Sequence, residues 1–249
     1  MNVTIWNEGL HEHQKKATME LYPQGLHGVL AEVLGEVPGV EKIRIATLEM
    51  PDCGLPPEVL EDTDVLFWWG HIAHDKVPDA LVERIYDRVM RGMGLVVLHS
   101  AHLSKIFQKL LGTTCSLRWR EETYGRVHCV MPGHPIAQNI PEHFELGTEE
   151  TYGEPFDVPT PDELVFISWF DSGEVFRSGC TWYRGRGKIF YFQPGHETNR
   201  SFYNPVVRQI WQNACQWAAP TNPIPESRDI WECKHLVTTL EDERKASEQ

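Results

Sequence analysis

Short runs that are apolar almost throughout recur at residues 3–6, 65–69, 95–98 and 188–192. Runs of that length, bounded by glycine or turn residues, suit strands buried on both faces, the signature of a parallel sheet. Residues 42–48 alternate charged and apolar positions instead, so one face is wet and the strand belongs near an edge. Between these runs the period changes. Leu26, Val29, Leu30, Val33 and Leu34 fall on one face of a helix over 26–35, and Leu81, Ile85, Val89 and Met90 mark a second over 78–91. A short helix is predicted over 56–60 with proline at its start, another over 104–111, and a long one over 203–218 with Val206, Val207, Ile210, Trp211, Ala214 and Trp217 on its apolar face. Strand and helix alternate as in a doubly wound α/β sheet, mainly parallel, with helices on both faces.

From 112 to 181 the pattern turns strand-like, with runs at 115–119, 124–131, 164–170 and 175–182 among many prolines. This predicts an inserted antiparallel section covering one end of the sheet, with Glu149 and Glu150 in a turn over 147–152. Residues 1–220 read as one α/β domain and 221–249 as a tail rich in proline and charge. Its few apolar residues, Ile224, Ile230, Trp231 and Leu236, could dock but not build a core.

The candidate chemistry sits where the buried runs end. Side chains just past the carboxyl ends of strands in an open parallel sheet face the ligand crevice. Three such ends deliver a histidine: His71 after Gly70, His99 directly after Leu98, and His196 after Pro194-Gly195. One histidine is usually a packed residue, but three neighbouring strand ends would gather imidazoles whose useful chemistry is metal ligation or proton transfer. His71, His99 and His196 are therefore the expected ligands of a divalent ion, zinc first. Asn7, Glu8 and His11 in the loop after the first strand, His27 in a helix first turn, Trp69, Tyr152 and Glu197 are expected to contact substrate. His99, His196 and Glu150 are the expected proton-transfer groups.

A chain of 249 residues with 41% hydrophobic content can bury a full core. With 23 basic against 36 acidic side chains, a net of -13, it lacks the basic footprint that nucleic acid or an anionic membrane would need. No stretch is long and apolar enough for a span, the N-terminus has no signal-peptide character, and the six cysteines form no Cys-x-x-Cys pair, so a cytoplasmic setting with reduced thiols is expected. Exposed strands in the inserted section make a homodimer plausible. A hydrolase using Ser100, Cys115 or Cys180, and a metal-free binding or regulatory module, are the rival readings.

Ile5-Trp6-Asn7-Glu8 with His11-Glu12, 22–27 (Tyr-Pro-Gln-Gly-Leu-His), Trp68-Trp69-Gly70-His71, 94–101, Pro194-Gly195-His196-Glu197, Asn204-Pro205 and Trp217-Ala218 together resemble the ThuA-like trehalose-utilisation proteins. That family lies within the class I glutamine amidotransferase-like superfamily, and the resemblance, spanning about residues 1 to 220, implies a flavodoxin-like fold. His99 looks to occupy the position of the amidotransferase cysteine, with His196 and Glu197 near the later triad partners. The thiolate is thereby lost, so glutaminase activity is not expected. The resemblance implies a role in disaccharide or glycoside metabolism, with 3-keto sugars as possible substrates. Trp6, Trp68, Trp69, Tyr152 and Trp182 would suit sugar rings.

Overall fold

The computed structural model describes residues 1–228 together with 244, 245 and 247, the side chains of Glu12 and His13 excepted. In chain order the elements are β1 (Asn2–Asn7), α1 (Leu10–Gln14), α2 (Lys16–Leu21), α3 (Gly25–Gly35), β2 (Lys42–Thr47), α4 (Pro57–Glu61), β3 (Val65–Trp69), α5 (Asp79–Arg91), β4 (Gly94–Leu98) and α6 (Lys105–Leu111). There follow β5 (Arg118–Cys129), β6 (His143–Gly153), β7 (Glu163–Phe170), β8 (Val175–Arg184), β9 (Gly187–Phe192) and α7 (Pro205–Ala218).

All nine strands form one sheet in the order β2-β1-β3-β4-β9-β8-β7-β5-β6. The first five are parallel and the rest antiparallel. The 2-1-3-4 start is the flavodoxin-like doubly wound order, whose ligand crevice opens between β1 and β3. On one face α3 and α7 pack through Leu26, Leu30, Val33, Val207, Ile210 and Trp211. The other face is covered by α4, α5 and α6 through Leu60, Leu81, Ile85, Phe107 and Leu110. Proline opens α4 and α7, and the Asn204 side chain caps α7 by accepting from the Val206 and Val207 amides. Among the described residues no helix is long and apolar enough to cross a membrane.

The alternating strand β2 lies at an edge, as its pattern predicts. Four sequence expectations need correction. The antiparallel section does not cap the sheet but extends it edgewise, because β8 pairs along β9. The runs at 115–119 and 124–131 are not two strands: β5 is one strand, starting at Arg118 and continuous through Glu121 and Glu122. Glu149 and Glu150 are not in a turn; they lie within β6, with opposite faces and different burial. The polar segment after β1 is likewise not a loop, since it winds into α1 and α2. Irregular register between Arg120 and Thr123, and between Gly125 and Arg126, bends the β5–β6 hairpin, and Tyr152 comes to stack on His99.

Beyond α7 the chain returns along α5. Ile224 packs on the second core, and buried Arg91 donates to the carbonyls of Pro225 and Glu226 at 2.9 and 3.0 Å. Ile230, Trp231, Cys233 and Leu236 lie outside the described residues. Helix and sheet approach closely at Gly94, where a Cβ would stand 2.4 Å from the Ala218 carbonyl oxygen. Gly94→Ala is expected to cost about 1–3 kcal/mol through forced displacement of the α7 terminus. A lowered urea midpoint at unchanged m would show it.

Candidate active site

The crevice at the carboxyl ends of β1, β3, β4 and β9 collects the histidines. Glu8, just past β1, is buried and accepts three backbone amides: His71 at 2.9 Å, Ile72 at 3.1 Å and Ala73 at 2.9 Å. Its carboxylate thus shapes the turn that presents His71. Asn7 is buried as well, with its Oδ1 accepting from the Gly9 amide at 3.1 Å and its Nδ2 lying 2.9 Å from His27 Nδ1. Trp69 donates from Nε1 to the Gly195 carbonyl at 3.1 Å and so holds the loop after β9.

Glu197 is the hub of the cluster and wholly buried. His11 Nδ1 lies 2.7 Å from its Oε1 and His71 Nδ1 3.2 Å from its Oε2, and the two imidazole nitrogens are 3.3 Å apart. Lys15 donates to Oε1 at 3.1 Å, and His196 Nε2 stands 3.4 Å from Oε2. Burial alone would raise this carboxyl, but the hydrogen bonds from His11 and His71 and the neighbouring imidazoles hold it far below the usual carboxylate range.

His99 opens a short 3-10 turn directly after β4 with φ of 51°, a left-handed conformation unusual for a residue with a side chain. Its Nδ1 faces the Gln193 carbonyl at 2.7 Å and its Nε2 faces Glu150 Oε2 at 3.0 Å, with the Tyr152 hydroxyl at 3.3 Å. A carbonyl and a carboxylate both accept, so both ring nitrogens carry protons and the group is an imidazolium. Burial opposes that charge, but the hydrogen bond and charge of Glu150 outweigh it and raise the His99 pKa. Burial likewise pushes Glu150 up, yet His99, then His196 and His71, bring it down to about 2. Two sets of donor atoms lie mutually within 4.8 Å and could hold a cation: His11, His71 and Glu197, and His71, Glu150 and His196. His99 belongs to neither set, and an imidazolium has no lone pair to give a metal.

Glu149 carries no mark in the sequence beyond its neighbour, yet it fastens the loop. Fully buried, it accepts from the Gly195 and His196 amides at 3.3 and 3.2 Å, from Asn199 Nδ2 at 3.0 Å, from Ser201 Oγ, and from the Glu150 amide at 3.1 Å. Burial raises its pKa against the pull of His99 and these donors. Glu149→Ala would strand those donors in the interior and is expected to cost about 3 kcal/mol. Hydrogen exchange at the Gly195 and His196 amides, accelerated well beyond the rest of the sheet, would locate the damage.

The nucleophile candidates are engaged or inert. Ser100 donates its hydroxyl to the Gly70 carbonyl at 2.8 Å. Burial pushes the Cys115 thiol up to about 11 and the Cys180 thiol up to about 12, leaving no thiolate at neutral pH. His102, on the same turn, has its Nδ1 2.6 Å from the Cys115 carbonyl, and burial takes it down to about 3. Burial and the charge of His99 also lower His196, to about 4. Beside these groups opens a cavity of about 340 Å³ into which His71, Ser100, His102, Glu150 and Tyr152 face.

The family described as trehalose utilisation, ThuA, matches residues 2–218. Among solved structures, a ThuA-like protein from Parabacteroides merdae superposes with a TM-score of 0.64 at 15% identity, covering 90% of this chain and 92% of that one. A cytoplasmic protein from Salmonella typhimurium gives 0.60 at 14% identity over 88% and 99%. A glutamine amidotransferase from Thermotoga maritima gives 0.51 at 13% identity over 88% and 97%, which shows the shared fold. No curated protein matches.

Proposed function

The chain belongs to the ThuA trehalose-utilisation family, and from that premise we propose that it is a carbohydrate enzyme holding one divalent cation, zinc in first place, between His11, His71 and Glu197. The observation that carries the reading is the close approach of the donor groups: His11 Nδ1 lies 2.7 Å from Glu197 Oε1, His71 Nδ1 3.2 Å from Oε2, the two imidazole nitrogens 3.3 Å apart, and one ligand atom from each residue lies within 4.8 Å of the others. Ligands about 2.0–2.1 Å from a tetrahedral ion lie roughly 3.3 Å from one another, so the donor set fits with little movement. His196 stands beside this set, and His11 takes the ligand role that the sequence reading gives to His99.

A bound divalent cation supplies Lewis acidity toward a sugar carbonyl or hydroxyl. The chain's own residues do the rest. Glu150, ionised at neutral pH and facing the cavity, is the proton acceptor. A carboxylate held down to about 2 is a weak base, so a carbon acid that it serves would need activation by an adjacent polarised carbonyl, which a keto-sugar has and an unoxidised glycoside lacks. His99 keeps Glu150 oriented, and Tyr152 stacks on His99 to close that side. Loss of a leaving group or return of the proton elsewhere would make the reaction a lyase or an isomerase. The five described cysteines, all free, suit a cytoplasmic setting.

The test is elemental analysis of untagged protein, followed by assay with 3-keto glycosides before and after chelation. About one ion per chain, with turnover lost on chelation and restored by the ion, is expected. Protein that takes up no ion from several offered would overturn the metal reading and leave a sugar-binding module as the better account.

A further inference from the structure

The cavity beside Glu150 has a polar floor and a carbon rim. His71, Ser100, His102, Glu150 and Tyr152 form the floor, whereas Ile72, Leu103, Leu117 and Trp119, with the exposed Ser116 among them, form the rim. Ile72, Leu103 and Trp119 are 51%, 40% and 68% exposed. Single exposed apolar residues are ordinary, but several meeting at the mouth of one polar cavity mark a binding surface. The Ile72 amide is already given to Glu8 at 3.1 Å, so it adds no donor to the rim. Trp119 is shared with a second, adjoining cavity of about 570 Å³, whose other walls include Arg118, Arg120 and Thr151.

We propose that the ligand is an amphiphilic glycoside, with its sugar on the polar floor and an apolar ring aglycone lying against Trp119, Ile72 and Leu103. This inference rests on the sugar-processing reading above and adds the class of the second substituent. A second sugar could lay a C–H face on Trp119, but most of its hydroxyls would then face Ile72, Leu103 and Leu117, with Ser116 as the polar side chain among them. An aromatic or alicyclic ring meets the same surface without that cost and adds ring stacking.

The test measures calorimetric affinity of the full chain, loaded with whichever ion it binds, for glucose, trehalose and phenyl β-glucoside, in wild type and Trp119→Ala. Phenyl glucoside is expected to bind about tenfold tighter than either other sugar, equivalent to about 1.4 kcal/mol. Trp119→Ala should remove most of that advantage while leaving glucose affinity within about twofold. Equal or tighter binding of trehalose in wild type, or an unchanged ratio in Trp119→Ala, would overturn the aglycone site while leaving sugar binding intact. Failure of all three sugars to bind would overturn both readings. A dimer that dissociates in Trp119→Ala with the affinity ratio unchanged would assign the rim to a second copy of the chain instead, and would equally overturn the proposal.

Discussion

Glu197→Ala is expected to weaken binding of the divalent ion by more than about 100-fold, the largest effect of any single replacement in the crevice. Loss of a group that merely supports a ligand costs about 10–100-fold, and Glu197 is placed as a ligand itself. It is also the one carboxylate that His11, His71 and Lys15 share. Without it three cationic or potentially cationic groups crowd a buried space with nothing to balance them. The measurement is calorimetric titration with zinc, paired with thermal unfolding. Zinc should raise the wild-type melting temperature, because a ligand of the native state stabilises by mass action, and should leave Glu197→Ala unmoved. Glu150→Gln is the control. If Glu197→Ala binds normally and Glu150→Gln does not, the ion belongs to His71, Glu150 and His196, and the assignment made here is wrong.

The second large effect is on pH dependence. His102 is held at about 3 by burial, with the charge of His99 acting the same way, against a hydrogen bond to the Cys115 carbonyl that favours the proton. The unfolded chain takes up this proton near the ordinary value of about 6.5, whereas the native chain refuses it until about 3. The native state therefore loses stability as pH falls below about 6.5, and the loss levels off only near 3. At pH 5 the deficit from this residue is about 2 kcal/mol. His102→Asn keeps a donor toward the Cys115 carbonyl but cannot titrate. In urea unfolding with chelator present, its stability should fall less than that of wild type between pH 7 and 5, by about that amount. Parallel slopes for the two proteins would show that His102 titrates normally in the native state.

The inner strands of the parallel half were legible because they are buried on both faces and leave continuous apolar runs. Trp68-Trp69 before His71, Val97-Leu98 before His99 and Tyr191-Phe192 before the loop to His196 all carry that mark, and β3, β4 and β9 are neighbours in the sheet. The bent hairpin was not legible. In β6, Gly147 and the adjacent Glu149 and Glu150 have the composition of a solvated turn. Only tertiary partners, five donors for Glu149 and an imidazolium for Glu150, make burial of those carboxylates affordable. The helical winding of α1 was hidden for a related reason. All its residues but Leu10 are polar and it is five residues long, too short for a period to register. What sets His11 beside His71 is the adjacency of β1 and β3 together with the shared pull of Glu197, and no spacing along the chain encodes either. His99 was found by position, but its protonation could not be read from sequence, since it depends on two acceptors that arrive from β6 and from the residue after β9.

The seam between β4 and β9 also bears on how the chain is made. β4 pairs with β3 on one side and with β9 on the other, while β5 to β8 lie between β4 and β9 in the sequence. During synthesis from the N-terminus, β1 to β4 can assemble while the outer side of Leu95–Leu98 still presents bare amide and carbonyl groups on a wholly apolar strand. It stays so until Gly187–Phe192 has emerged. An uncovered apolar edge of that kind is a template for wrong pairing between nascent chains. The same late arrival brings His196 and Glu197, so closing the seam ends the hazard and completes the crevice in one event.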